Sequence, residues 1–320
     1  MSERLDIVTV GEALVDLVAP DAHHLADATT FHRTAGGAPA NVAVAGARLG
    51  ARTALISALG RDPFGDYLRQ LLHQEGVDTS ALALVEERTT LAFVARNAGG
   101  IPDFTFYRGS DAVLRPDLIS EEMIERSTFL HASSMALMSE PSRGATLAAV
   151  EIAVRRKVLI SVDPNLRPSS WPSVDEARRA ISPLLRAADV LKVNDEEARL
   201  LANTHDLDEA MTVLAGKDRL LVVTLGSEGC SWRRGAESGQ TLAPRVQAIE
   251  TTGAGDAFVG ALLAELSGPA AVAGSITALP AATLSAALRF ACTAGALACT
   301  QVGAMAALPA RHEVERLLLD

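Results

Sequence analysis

Aromatic residues are scarce. The 320-residue chain holds 8 Phe, 2 Trp and 2 Tyr, 4% in all. So few rings exclude an RNA-stacking surface or a carbohydrate platform built from many of them. Cysteine is rarer still. Cys230, Cys292 and Cys299 make no disulfide framework and fit no zinc spacing, so they read as small core residues. Positive charge is in the minority, with Lys+Arg 29 against Asp+Glu 39 and a net charge of −10. That excludes nonspecific binding to nucleic acid or to anionic membranes. The N-terminal run MSERLDIVTVGEALVDLV lacks a basic segment and a small-residue cleavage site, so a cytoplasmic location is expected. Hydrophobic residues, by contrast, reach 48%, enough for a large core and incompatible with global disorder.

Charge is also missing locally. From Ala254 to Ala310 only Asp256, Glu265 and Arg289 carry it. Leu266–Leu288 and Phe290–Ala310 both reach membrane-span length. Their apolar content is mostly Ala, broken by Pro269, Gly274, Pro280, Gly303 and Pro309, which predicts closely packed buried helices instead.

Along the chain, apolar runs alternate with amphipathic stretches. Leu5–Val10, Thr53–Leu59, Phe129–His131, Val158–Val162, Val190–Val193 and Leu220–Thr224 read as buried strands. Ala40–Leu49, Phe64–Glu75, Pro141–Arg156, Val174–Ala187 and Glu196–Leu201 read as helices between them. This alternation predicts an α/β fold with a mostly parallel sheet covered on both faces. Leu14–Ala19 with Thr29–Thr34, and Leu91–Asn97 with Phe104–Arg108, read as strands without intervening helices. The Asn97-Ala98-Gly99-Gly100 turn marks the second pair as a hairpin. We expect one domain over 1–320, with a small β-sheet flap at about 12–34 and 90–110.

Two glycine-rich segments carry the chemistry. In Glu250-Thr251-Thr252-Gly253-Ala254-Gly255-Asp256-Ala257-Phe258 a small-residue loop runs into an uncharged helix. Small side chains let backbone N–H groups approach a ligand, and the helix N-terminus adds positive potential. Such a nest suits a transferring phosphoryl group. Asp256 at the helix start could accept a proton from an attacking hydroxyl, or could simply cap the helix. Neither a GxGxxG fingerprint nor a Gly-Lys-Ser/Thr phosphate loop is present. In Ala35-Gly36-Gly37-Ala38-Pro39-Ala40-Asn41 glycines again open a helix, and Asn41 offers a donor and an acceptor to a polyol. A plain turn and cap is the alternative there.

Together, Gly36-Gly37-x-x-x-Asn41 and Thr252-Gly253-Ala254-Gly255-Asp256 resemble the two signatures of the ribokinase-like carbohydrate kinases, the phosphofructokinase-B family. The resemblance runs from Val10 to about Pro309. It implies a doubly wound α/β fold with a β-sheet lid, and an ATP-dependent sugar kinase. Asp256 would be the catalytic base, and the Gly253, Ala254 and Gly255 amides the anion hole. Asp16, Gly36, Gly37, Asn41, Arg108, Asp111 and Arg167 would meet the sugar. Asn194 and Glu197 match the family's Asn/Glu pair, Glu197 reaching Mg²⁺ through water. Thr224, Gly226 and Gly229 match its nucleotide turn, and Cys292 stands on the adenine side where many relatives carry Asn. K⁺ at the loops Glu250–Thr252 and Ala298–Ala307, and a homodimer joined through the lids, are further implications.

Gly-Gly-Ala-Pro-Ala-Asn, Asp163-Pro164-Asn165-Leu166-Arg167, Trp171 and the Gly303–Pro309 ending resemble the bacterial fructokinase branch. Fructose, phosphorylated at O6, is the expected substrate. Phe106-Tyr107-Arg108 also resembles 2-keto-3-deoxygluconate kinases, where Arg108 and Arg167 would clamp a carboxylate. Phe93, Phe104, Phe106 and Tyr107 are expected over the sugar. A non-catalytic sugar-binding protein and an acidic hydrolase using Glu121-Glu122 or Asp195-Glu196-Glu197 are the competing classes.

Overall fold

The continuous apolar runs and the amphipathic stretches become strands and helices of the expected kinds. The computed structural model describes residues 4–20, 22–96, 102–216 and 218–319. Its strands are β1 (Leu5–Val10), β2 (Leu14–Val18), β3 (His32–Gly36), β4 (Thr53–Gly60), β5 (Leu82–Val85), β6 (Leu91–Arg96), β7 (Pro102–Tyr107), β8 (Ser127–Ala132), β9 (Leu159–Val162), β10 (Val190–Asn194), β11 (Leu220–Thr224), β12 (Cys230–Arg234) and β13 (Glu237–Thr241). Its helices are α1 (Ala38–Arg48), α2 (Pro63–Gln74), α3 (Glu121–Glu125), α4 (Ser142–Arg156), α5 (Val174–Ala187), α6 (Asp195–Ala202), α7 (Leu207–Ala215), α8 (Ala254–Ala273), α9 (Ala281–Ala298) and α10 (Arg311–Leu319).

Nine strands form one sheet in the order β13-β12-β11-β10-β9-β8-β1-β4-β5. It is parallel from β11 to β5, with β12 and β13 added antiparallel at one edge. Successive strand residues point to opposite faces. Val8, Leu130, Ile160, Leu191 and Leu221 pack with residues of α3 to α7. Ile7, Phe129, Val190, Leu220 and Val222 pack with α8 and α9, and α1 and α2 cover Leu55 and Leu59. Helices on both faces explain why the strand runs are continuously apolar.

The uncharged stretch becomes α8 and α9, which pack against each other. Both are long and apolar enough to cross a membrane, yet α8 is well buried in the protein, and α9 buries half of its length. Small residues let α8 come close to α1: a Cβ on Gly260 would sit 2.5 Å from Ala45 Cβ and 3.0 Å from the Gly46 nitrogen. That crossing fixes the distance between the two helix starts.

The four lid strands form a separate sheet, ordered β3-β2-β6-β7. β3 lies later than the expected 29–34, because its register with β2 pairs Leu14 with Gly36 and carries the strand up to the glycines. The expected 97–100 turn lies outside the described residues. Strand alternation corrects the aromatic expectation. Phe106 faces the cavity described below, whereas Phe93 and Tyr107 lie on the opposite face, edge-to-face at 5.3 Å. The Phe104 side chain lies outside the described residues.

Chain order around β1 places the site. From β1 the sheet grows through β4 and β5 on one side and through β8 to β11 on the other. A ligand crevice is expected at the carboxyl ends of the strands beside such a reversal.

Candidate active site

A cavity of about 640 Å³ opens there. Its walls come from the ends of five parallel strands: Glu12 after β1, Ser133 after β8, Asp163 after β9, Asn194 on β10 and Thr224 on β11. A second, more apolar cavity of about 620 Å³ lies between the β11–β12 turn and α9, and Cys292 and Phe258 help line it. Thr224, Gly226, Thr251 and Gly255 line both, so the two chambers meet at the start of α8.

That start has the conformation the glycines predict. Gly253 is left-handed (φ +83°) and a Cβ there would meet the Ala304 carbonyl oxygen at 2.9 Å. The first helical bond is Ala257 N–H to the Gly253 carbonyl, 2.8 Å. The N–H groups ahead of it have no place in the helix ladder. Ala254 N–H turns back to the Thr251 carbonyl at 3.2 Å, which leaves those of Gly255 and Asp256 for an anion.

Asp256 is buried in the first turn of α8 and lines the first chamber. Its Oδ2 accepts a 2.8 Å hydrogen bond from Asn41 Nδ2, a contact between residues 215 positions apart made possible by the α1–α8 crossing. Asn41 Oδ1 is buried without a protein partner while the residue lines the chamber. An orphaned acceptor at a cavity wall is open to a donor from water or from a ligand hydroxyl. Burial raises the Asp256 pKa to about 6, with Asp163 adding to the rise and Asn41, Lys192 and Arg167 opposing it. The carboxylate is therefore a base poised near neutrality.

The lid contributes Leu14, Asp16 and Phe106. Burial, then the negative charges of Asp256 and Glu250, push Asp16 up to about 7. Gly36 does not line the chamber but explains itself through Asp16: a Cβ there would fall 2.1 Å from Asp16 Oδ2. Gly37 lines the chamber with φ +101°, and a Cβ would strike the Glu12 carbonyl oxygen at 2.5 Å. Arg108 and Asp111 stand apart from the lining. Arg108 Nη2 donates to Asp111 Oδ2 at 2.5 Å and Nε donates to the same oxygen at 3.2 Å, while the Thr90 hydroxyl holds the other oxygen. Arg167 does line the chamber.

Asn194 and Glu197 form a reciprocal helix cap. Asn194 Oδ1 accepts from Glu197 N–H at 2.7 Å, and Glu197 Oε2 accepts from Asn194 N–H at 2.8 Å. Leu166 N–H donates to the other Glu197 oxygen at 2.7 Å. Burial raises the Glu197 pKa, with Asp163 adding and Lys192 opposing. Each oxygen thus accepts one backbone N–H, an arrangement compatible with the expected contact to Mg²⁺ through water. Among the described residues no cluster of three His, Cys, Asp or Glu side chains forms a metal site. This donor set fits Mg²⁺ carried in on nucleotide phosphates. Thr224, Gly226, Gly229 and Cys292 line the second chamber, Thr224 and Gly226 at its junction with the first. Gly229 requires its glycine, at φ +93° with the Thr241 carbonyl oxygen 2.0 Å from a Cβ. Gly303 N–H donates to Glu250 Oε2 at 3.0 Å, tying together the two loops of the K⁺ expectation.

Two residues went unread in the sequence. Lys192 sits mid-strand in β10, its Nζ 2.8 Å from Asp163 Oδ2, both buried. Burial opposes its charge, but Asp163 and Glu197 outweigh that and hold it protonated. Its ammonium lies 2.9 Å from where a Gly255 Cβ would be, directly under the anion-binding turn. The signal was a lysine inside an otherwise apolar strand. Glu12, held up at about 7 mainly by burial, accepts Ala38 N–H at 3.2 Å and so props the start of α1.

Two chambers joined at a helix N-terminus, one polar with a neutral-pH base and one apolar, define a phosphotransferase acting between a nucleotide and a hydroxyl compound. The comparisons agree. The family model for pfkB family carbohydrate kinases matches residues 4–311, and the chain belongs to that family. It is 40% identical over 322 residues to probable fructokinase-4 of Arabidopsis thaliana, covering 99% of this chain and 97% of that protein. A fructokinase from Xylella fastidiosa with bound ATP superposes with a TM-score of 0.88 at 33% identity, covering 98% of each chain. A fructokinase double mutant from Vibrio cholerae O395, in fructose, ADP and potassium ion bound form, gives 0.87 at 33%, covering 99% and 100%.

Proposed function

We propose that this chain is an ATP-dependent fructokinase that phosphorylates D-fructose at O6. The observation that carries it is the Asn41–Asp256 pair on the wall of the first chamber, with Asp256 next to Gly255, which lines both chambers. The sugar lies in the first chamber, under Asp16 and Phe106 of the lid, with a hydroxyl on Asn41 Oδ1. The adenine lies in the second, along α9. The γ-phosphoryl group then sits at the α8 N-terminus, facing the Gly255 and Asp256 amides. Asp256 takes the O6 proton as O6 bonds to the γ-phosphorus and the bond to the β-phosphate oxygen breaks, releasing ADP. Lys192, under the turn, and the helix dipole face the charge that develops on the phosphoryl oxygens. Mg²⁺ bound with the nucleotide would supply further neutralisation, with Glu197 holding one of its waters.

We read 1–320 as one functional unit whose lid, about 12–34 and 90–110, excludes water on closure. A K⁺ bound between the Glu250–Thr252 and Ala298–Ala307 loops would act on the anion turn through Gly253, which abuts Ala304. The lid edges β3 and β7 and the exposed Phe31 and Tyr107, linked through Phe93, support pairing of two lids in a homodimer. Three free thiols suit a reducing, cytoplasmic setting.

The Arg108 fork is spent on Asp111, so it offers no clamp to a sugar acid. That favours fructose over 2-keto-3-deoxygluconate. An ADP-coupled assay over fructose, 2-keto-3-deoxygluconate, ribose, mannose and adenosine tests the reading. Fructose should give the highest kcat/KM. Preference for the sugar acid would overturn the substrate, and absence of ADP release with any sugar would leave a binding protein.

A further inference from the structure

Cys292 forms part of the wall of the second chamber, on α9. Its sulfur lies 3.7 Å from that of Cys230, the first residue of β12. Cys230 does not line the chamber. It is buried behind Cys292 and follows Gly229, whose turn forms the opposite wall. The pair therefore bridges the two elements between which the chamber lies. We propose that Cys230 and Cys292 are a reversible oxidation site that closes to a disulfide and weakens nucleotide binding.

The geometry is close to what the bond needs. A disulfide brings the sulfurs to about 2.05 Å, so they must approach by roughly 1.7 Å. The approach draws β12 and α9 together and narrows the space between them. An oxidant reaches the pair from the chamber, through Cys292. Nucleophilic attack needs thiolate character on the attacking sulfur, and Cys292 is the one of the two that faces the chamber. With hydrogen peroxide the Cys292 thiolate is oxidised to sulfenic acid, releasing water. The Cys230 thiol then displaces the second water as the S–S bond forms. Two electrons leave the sulfurs and reduce one peroxide to two waters.

The inference rests on the nucleotide reading of the second chamber, and the experiment separates the two. The purified protein is treated with hydrogen peroxide, with and without saturating ATP, and digested for disulfide mapping before and after dithiothreitol. A Cys230–Cys292 linked peptide should form, more slowly with ATP present, and KM for ATP should rise about tenfold or more and recover on reduction. Cys230→Ala should keep its KM for ATP after the same treatment. Absence of the linked peptide overturns the proposal whatever the chamber binds. A linked peptide with KM for ATP unchanged overturns the assigned effect alone, whereas linkage at the same rate with and without saturating ATP overturns the nucleotide reading of the chamber. Equal inactivation of Cys230→Ala assigns the damage to oxidation of a single thiol on the chamber wall, Cys292 or Cys299, and overturns the pair.

Discussion

Replacing Asn41 by alanine should move the acid limb of kcat/KM to higher pH. The native bond, Asn41 Nδ2 to Asp256 Oδ2 at 2.8 Å, stabilises the ionised base in a buried setting. A hydrogen bond to a charged group is worth about 1.5–3 kcal/mol, and one pKa unit corresponds to about 1.4 kcal/mol. Its loss raises the Asp256 pKa from about 6 by about one to two units. Because the base works ionised, the rate rises with pH on this limb. At pH 7 the ionised share falls from about nine-tenths to between about one-half and one-tenth. Asn41→Ala also loses the Oδ1 contact to the sugar, which lowers the plateau at every pH. The midpoint, not the plateau, is therefore diagnostic. Asp16 and Glu12, both near 7, titrate in the same window, but they are common to both proteins, so the displacement isolates Asn41. The assay is ADP-coupled kcat/KM for fructose from pH 5 to 9 at fixed ionic strength and excess Mg-ATP. Coincident midpoints, or an Asp256→Asn variant with wild-type turnover, would refute the assignment of the base.

Gly36→Ala places a methyl group 2.1 Å from Asp16 Oδ2, so it should raise KM for the sugar at least severalfold with little change in KM for ATP; equal sugar kinetics would remove Asp16 from the site. Lys192→Met strands the buried Asp163 carboxylate and should cost about 3–5 kcal/mol in urea unfolding, much of it regained in the double variant with Asp163→Asn. Loss under about 1 kcal/mol would contradict the buried pair. Glu12, Asp16 and Asp256 all hold protons more tightly folded than unfolded. Their contribution to stability is full below about pH 4 and is lost as pH rises through 6 to 7. Tm of the free protein should thus fall between pH 5.5 and 8, and Asp16→Asn should flatten that fall while impairing activity; a steeper fall would reverse the sign. Gly260→Leu should separate α1 from α8 and lower Tm by several degrees together with kcat, since overpacking costs about 1–3 kcal/mol.

The parallel core was legible because its strands are buried on both faces and read as unbroken apolar runs; Leu220–Thr224 and Val174–Ala187 have the boundaries their sequence predicts. The edge was not. β12 (CSWRR) and β13 (ESGQT) are short and largely polar, and their pairing comes from a turn, not from a hydrophobic pattern. β5 is partly exposed throughout, and α7 and α10 are helices of 9 residues each, short enough for their apolar pattern to be passed over. At the site, glycine-rich turns announced both helix starts. What no local pattern could give was the contact between Asn41 and Asp256, which depends on Gly260 meeting Ala45 across a helix crossing. Arg108 and Asp111 show the converse: two polar residues three apart satisfied each other and left the chamber.

The acidic balance of the chain looked unsuited to a polyanionic substrate. Counted by residue, the first chamber is indeed acidic, with Glu12, Asp16, Asp163, Asp195, Glu196, Glu197 and Asp256 against Lys192 and Arg167. Counted by charge it is less so. Burial lifts Glu12 and Asp16 to about 7, where each is about half protonated at neutral pH, and raises Glu197; Asp163 is neutralised by Lys192 at 2.8 Å, Asp195 pairs with Arg199, and Asp256, near 6, ionises more readily than Glu12 or Asp16. Desolvation and pairing thus remove part of the repulsion toward phosphate. An anionic nucleotide and a proton-accepting carboxylate can share one small site because burial, backbone capping and ion pairing reduce the charge of most of the other acids there.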